Sequence, residues 1–300
     1  MGSGGAKRLW AWGQSHPGRK RERNEDSYLV DPDTGILAVA DGMGGHQGGA
    51  TASRMAVELL AKELGEARGD FDWAARKQKD LSVRVTEEMP AITDTPETDD
   101  LAPTIPGADE VLPPGGAAMI FSPALELMRS IVRRASSQIF EAAWHKPDLR
   151  GMGTTLTAVL MHAGKAHVVH AGDSRCYMFR DGQLRQITDD HSWINEQLKA
   201  GAISEAEAKS SRFRHVITKS IGFERDTEAD LKSVPVSPGD CFVLCSDGMS
   251  NYIEHGELER IVAMTWYRRL PQQLIELAND RGGDDNITVV VGLVANAPPA

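Results

Sequence analysis

Cysteine is scarce in this 300-residue chain: only Cys176, Cys241 and Cys245 occur. An odd count without framework spacing excludes a disulfide-stapled secreted scaffold and suits a reducing cytoplasm. All three fall in apolar, strand-like runs, so small buried thiols are expected. Cys241 and Cys245 have no matching second pair nearby, which argues against a zinc site. Long apolar runs are also missing. None reaches the length of a membrane span, and no secretory segment is visible at the start. Met1 to Gly5 reads as a flexible leader or an expression remnant. Positive charge is in deficit, with 33 Lys and Arg against 43 Asp and Glu. A net charge of −10 argues against a generic grip on nucleic acid. The one basic run, Arg19-Lys20-Arg21 with Arg23 beyond, reads as a solvated face.

What remains is ordinary globular composition, 41% hydrophobic and 25% charged, long enough for one large core or two modest ones. Tyr28–Val30 and Ile36–Ala40 flank turn chemistry and predict a hairpin. Helical spacing runs from Gly49 to Leu64. A second helix opens on Ser122 as N-cap with Pro123 at its first position, then carries Leu125, Met128, Val132, Ala135, Ile139 and Ala142 inward. Between them, residues 87–110 hold eight acidic residues and no Lys or Arg, punctuated by prolines. This predicts a disordered acidic insertion over about 87–116. Its threonines admit a second reading, as sites for a partner kinase.

After Gly151 short strands are predicted at 155–161, 166–171, 176–179, 184–187, 231–236, 241–245 and 287–294. Ala163-Gly164-Lys165 and Asp181-Gly182 are turns between them. Residues 193–200, 204–210, 257–265 and 271–280 read as helices. Strands and helices in blocks favour an antiparallel α+β sandwich, taken as a single domain over 8–295.

Five acidic motifs punctuate this frame. They are Asn24-Glu25-Asp26, Asp41-Gly42-Met43-Gly44-Gly45-His46, Gly172-Asp173-Ser174-Arg175, Ser246-Asp247-Gly248 and Asp284-Asp285-Asn286. One Asp-Gly is ordinarily a solvated turn. Several at strand termini make a site for hard divalent cations, which prefer oxygen ligands, and point to metal-assisted hydrolysis. Glycine beside Asp41 lets a backbone carbonyl join the ligands.

With Arg21, Gly151-Met152-Gly153-Thr154-Thr155 and Asp190-His191-Ser192 in the same order, the chain resembles the bacterial form of the metal-dependent protein phosphatases of type 2C. The match runs from about Gly18 to Val294. The resemblance implies a four-layer α-β-β-α sandwich with two mainly antiparallel sheets, and a flap over about 190–220. It implies that Asp41 bridges two Mn²⁺ or Mg²⁺ ions, that the Gly42 carbonyl binds one, and that Asp247 and Asp285 hold the second. Asp173 matches the ligand of a third ion shared with Asp247, Asp26 orders outer waters, and Arg21 binds phosphate. The implied reaction is hydrolysis of phosphoserine and phosphothreonine by a metal-bridging water, opposing a bacterial serine/threonine kinase.

Met43 stands where eukaryotic relatives carry a histidine and His46 is out of place, so the general acid is unassigned, metal-bound water being one candidate. Asn251 replaces an acidic residue of some relatives. His167, His170 and His191 are read as structural rather than as ligands. Glu25 and Asp284 are read as bystanders. Two alternatives stay open: a catalytically silent scaffold, and an enzyme restricted to one phosphoprotein, such as an anti-sigma-factor antagonist.

Overall fold

A computed structural model describes residues 8–44, 48–67, 122–213 and 215–297. The acidic 87–116 stretch and His46 lie outside them. In chain order the strands are β1 (Arg8–His16), β2 (Ser27–Asp31), β3 (Ile36–Ala40) and β4 (Gly42–Met43). The helices α1 (Gly48–Glu66) and α2 (Pro123–His145) follow, then β5 (Gly153–Thr154), β6 (Leu156–His162), β7 (Lys165–Ala171), β8 (Arg175–Arg180) and β9 (Gln183–Gln186). Next come α3 (Trp193–Lys199), α4 (Glu205–Ser210), β10 (Asp230–Pro235), β11 (Cys241–Cys245), α5 (Asp247–Ser250), α6 (His255–Met264), α7 (Leu270–Asp280) and β12 (Ile287–Ala295).

Two five-stranded sheets carry the fold, ordered β1-β12-β11-β8-β9 and β10-β7-β6-β3-β2. Every strand pair is antiparallel. Three apolar clusters separate four layers. Leu60, Met128, Ile131 and Ile139 bury the α1/α2 layer on the second sheet. Leu37, Val39, Val168, Phe242 and Val290 fill the space between the sheets. Val243, Val289, Leu258 and Leu274 bury α6 and α7 on the first sheet. Truncating one such side chain to alanine costs about 2–5 kcal/mol. The α-β-β-α sandwich follows.

Local chemistry accounts for the boundaries. Ser122 caps α2, its Oγ accepting from Leu125 N at 3.3 Å, with proline in the first turn. The β6–β7 and β8–β9 hairpins turn on Ala163-Gly164 and Asp181-Gly182, all four residues at positive φ as a two-residue mirror-image turn demands. Four elements depart from the sequence reading, two of them the short paired strands β4 and β5, which it did not contain. β1 has no counterpart there, although it pairs along its whole length with β12. Asp247 follows a strand, as expected, yet opens the short helix α5 rather than a plain turn.

Candidate active site

Asp41 directly follows β3, whose five residues are all buried. Its backbone is clamped from both sides. Its N–H donates to Thr155 Oγ1 at 2.9 Å, and its carbonyl accepts from Thr155 N at 2.9 Å and Thr154 Oγ1 at 2.8 Å. Gly42 then passes so close to α1 that an added Cβ would stand 2.2 Å from the Gly49 carbonyl oxygen. Only glycine permits that approach, and it ties the Asp41 loop to the start of α1.

The other acidic residues arrive from separate strand ends. Asp173 sits between β7 and β8, beside Ser174, whose hydroxyl meets that of Thr155 at 2.8 Å. Asp247 opens α5. Its Oδ2 accepts from Asn251 Nδ2 at 3.1 Å and lies 4.0 Å from His215 Nδ1 of the flap. Asp285 precedes β12. Its Oδ1 accepts from Asn286 N at 2.9 Å and its Oδ2 from Arg21 Nη2 at 2.8 Å. Asp26 lies just before β2, its Oδ2 accepting from Ser246 Oγ at 2.8 Å and Thr288 Oγ1 at 2.6 Å.

These carboxylates feel one another. Desolvation, then the charges of Asp26, Asp247, Asp173 and Asp285, raise the Asp41 carboxyl well above the usual range. Burial first and Asp247 second push Asp173 up to about 8. Burial pushes Asp26 up to about 7, against the pull of its two hydroxyl donors. Asp247 is raised by burial and by Asp285. A cluster of like charges withdrawn from water is unstable unless protons or cations join it.

The donor chemistry fits divalent cations. Asp26 Oδ1, Asp173 Oδ1 and Asp247 Oδ1 are buried and have no hydrogen-bond partner. Nearly all other buried polar atoms in proteins are paired. Among the described residues, no three acidic, histidine or cysteine side chains already close into a ligand set. The convergence shows instead in mutual repulsion and unpartnered oxygens. All-oxygen donors suit hard ions such as Mg²⁺ or Mn²⁺.

Several supporting residues were not legible beforehand. Asn286 pins the Arg21 loop: its Oδ1 accepts from Glu25 N at 2.7 Å, and its Nδ2 donates to the carbonyls of Pro17 at 3.0 Å and Arg23 at 2.8 Å. Arg175 grips Asp190 at the base of the flap, Nη2 to Oδ2 at 2.7 Å. Their adjacency to acidic motifs was the only signal. His170 donates from Nε2 to the Asp189 carbonyl at 3.1 Å and meets Thr157 Oγ1 at 2.8 Å, while His191 Nδ1 accepts from Gly172 N at 3.0 Å. His167 Nδ1 meets Ser233 Oγ at 2.8 Å. Each of the three histidines is thus engaged by the framework. The flap (about 190–220) closes its neck through Trp193 N to Val216 O at 2.9 Å and Thr218 N to His191 O at 2.9 Å.

Known proteins share this sequence pattern and architecture at the level of whole chains. The family model "Protein phosphatase 2C" matches residues 12–279. The chain is 32% identical over 280 residues to the serine/threonine phosphatase stp of Listeria welshimeri, covering 91% of each protein. The crystal structure of the Mycobacterium tuberculosis serine/threonine phosphatase PstP/Ppp superposes with a TM-score of 0.72 at 30% identity, covering 96% of this chain and 99% of that one. The catalytic domain of PstP in complex with two manganese ions superposes with a TM-score of 0.71 at 30% identity, covering 97% and 100%.

Proposed function

The chain belongs to the protein phosphatase 2C family and is a metal-dependent protein-serine/threonine phosphatase; from that premise we propose how its residues divide the work. Asp41 and the Gly42 carbonyl, with Asp247 and Asp285, hold two Mn²⁺ or Mg²⁺ ions. Asp173 offers a third position shared with Asp247, and Asp26 orders water around the pair. Bound there, the ions neutralise phosphate charge and lower the pKa of water. The observation that carries this assignment is the trio of buried carboxylate oxygens without partners on Asp26, Asp173 and Asp247.

Arg21 stands beside Asp285 with its side chain 58% exposed, able to turn toward a phosphoryl oxygen. Its planar fork donates two parallel hydrogen bonds to phosphate and fixes the phosphorus for in-line attack. Asp26 is held rigidly by Ser246 and Thr288, so its remaining oxygen is fixed in direction. No side-chain nucleophile is required. The three cysteines are buried, and burial pushes even the Cys245 thiol up to about 12. The substrates are phosphoproteins, and a bacterial serine/threonine kinase that makes them is the natural counterpart. Among the described residues, no helix is long and apolar enough to cross a membrane, and cytoplasmic placement accords with three free thiols.

The test is Mn²⁺-dependent phosphate release from phosphothreonine peptides, with Asp247→Ala as control. Loss of a ligand should lower kcat/KM by more than the roughly 10–100-fold that loss of an outer partner costs. Full turnover by Asp247→Ala at saturating Mn²⁺ would sink the assignment.

A further inference from the structure

Two large aromatic side chains stand in water close to the metal site with no role in it. Trp144 is 76% exposed and Phe223 49% exposed. They flank a cleft of about 380 Å³ whose lining includes Phe140, Arg150 and Met152. Met152 is fully buried and forms the floor. The volume is within the range of specific ligand pockets.

The cleft is continuous with the catalytic loop. Met152 leads into β5, where Gly153 pairs with Met43 and Thr154 with Gly42. On its other side Thr154 bonds Ile221 in both directions at 2.9 Å, so Gly42, Thr154 and Ile221 form three adjacent backbones. Phe223 follows two residues on and packs over Gly153, where an added Cβ would stand 2.6 Å from its ring. Two strand spacings separate Gly42 from Ile221, about 10 Å. An extended peptide covers that distance and the step to Phe223 in roughly three to five residues.

One cation, Arg150, lines the cleft. Arg225, whose guanidinium lies 5.9 Å from the Phe140 ring centroid, is paired with Glu141 at 3.7 Å and lies outside the lining. The Arg150 guanidinium, beside the aromatic walls, favours a further aromatic guest and an acidic neighbour.

We propose that this cleft is a substrate subsite, taking an aromatic or branched aliphatic side chain three to five residues from the phosphoresidue, in a peptide with an acidic residue next to that anchor. The proposal rests on the phosphatase reading above, because only a polypeptide substrate continues past the metal site into the cleft.

The experiment compares two phosphothreonine peptides, identical except for phenylalanine or alanine at the anchor position, in sets that scan both sides of the phosphothreonine. The readout is the ratio of their kcat/KM values on one enzyme preparation, which partial loss of fold does not move. The unaltered protein should prefer the phenylalanine peptide by roughly tenfold, mainly through KM. In Trp144→Ala and Phe223→Ala the ratio should fall toward one. An equal preference in both variants, or no preference at any anchor position in the unaltered protein, overturns the subsite. So does a concentration-dependent dimer that Trp144→Ala abolishes, since a second copy would then occupy the cleft. Absence of Mn²⁺-dependent turnover of every peptide by the unaltered protein overturns the phosphatase reading and this proposal with it.

Discussion

Replacing Asp173 by asparagine should stabilise the metal-free protein while weakening its response to Mn²⁺. Asp173 is 9% exposed, its Oδ1 has no partner, and burial followed by Asp247 pushes its carboxyl up to about 8. In the unfolded chain that carboxyl ionises near 3.8. Between these values the native state holds more protons than the unfolded state, so stability falls as pH rises. One pKa unit is worth about 1.4 kcal/mol, which bounds the penalty at roughly 6 kcal/mol above pH 8. Local hydration and side-chain movement reduce it, and about 2 kcal/mol is expected at an effective interior dielectric. For a domain of this size that is a rise of about 4–8 °C in Tm. The assay is thermal unfolding in chelator at pH 5 and pH 8, repeated with Mn²⁺. The gain from Asp173→Asn should be larger at pH 8. Added Mn²⁺ should raise the Tm of the unaltered protein more than that of the variant, because binding to the native state alone stabilises it. A variant no more stable than the parent in chelator at pH 8, or a gain equal at both pH values, would refute the reasoning.

Two further outcomes test neighbouring parts of the structure. Arg21→Ala removes the guanidinium that Asp285 Oδ2 accepts at 2.8 Å. Mn²⁺ affinity by titration calorimetry should not weaken, whereas KM for a phosphopeptide should rise by roughly 10- to 100-fold as a charge-assisted phosphate contact is lost; an unchanged KM would remove Arg21 from phosphate binding. His170 is buried, and burial first, then the charge of His191, lower its imidazole to about 3. Its native pKa lies below its unfolded value, so it stays neutral in the native state while the unfolded chain gains a proton below about pH 6.5. Stability is therefore lost as pH falls from about 6.5 toward 3, and His170→Gln should lower the midpoint of acid unfolding followed by circular dichroism.

The sandwich was readable because its strands and helices obey local rules. The Ser122-Pro123 cap, the two positive-φ hairpins and the apolar faces of α1 and α2 each act within a few residues. β1 escaped because both of its faces are apolar. Leu9 and Ala11 pack between the sheets, while Trp10 and Trp12 pack toward α6 and α7. A strand with apolar residues on both faces has no alternation to detect. The basic run is solvated, as expected, but its partners were not legible. Arg19 pairs with Asp280 at 2.5 Å, Lys20 with Asp284 and Arg21 with Asp285, so the exposed run is paired with the end of α7 and the loop before β12. Asp284 is accordingly the partner of Lys20. No local pattern announces partners some 260 residues away.

The same separation explains why short motifs were enough to find the site but not to explain it. Each joins a candidate ligand to a residue that fixes a different motif. Thr154 and Thr155 hold the backbone of Asp41. Ser174, beside Asp173, meets Thr155. Ser246, beside Asp247, holds Asp26. Asn286, beside Asp285, pins the loop that carries Arg21. The carboxylates alone would repel one another, and these neutral hydroxyls and amides supply fixed geometry without adding charge. That is why the acidic residues sit beside Ser, Thr and Asn: such side chains can bond to a backbone or a carboxylate across the site while an adjacent carboxylate oxygen stays unspent for a cation. On this account Asn251, which donates to Asp247 Oδ2, belongs to the same wiring and orients that carboxylate.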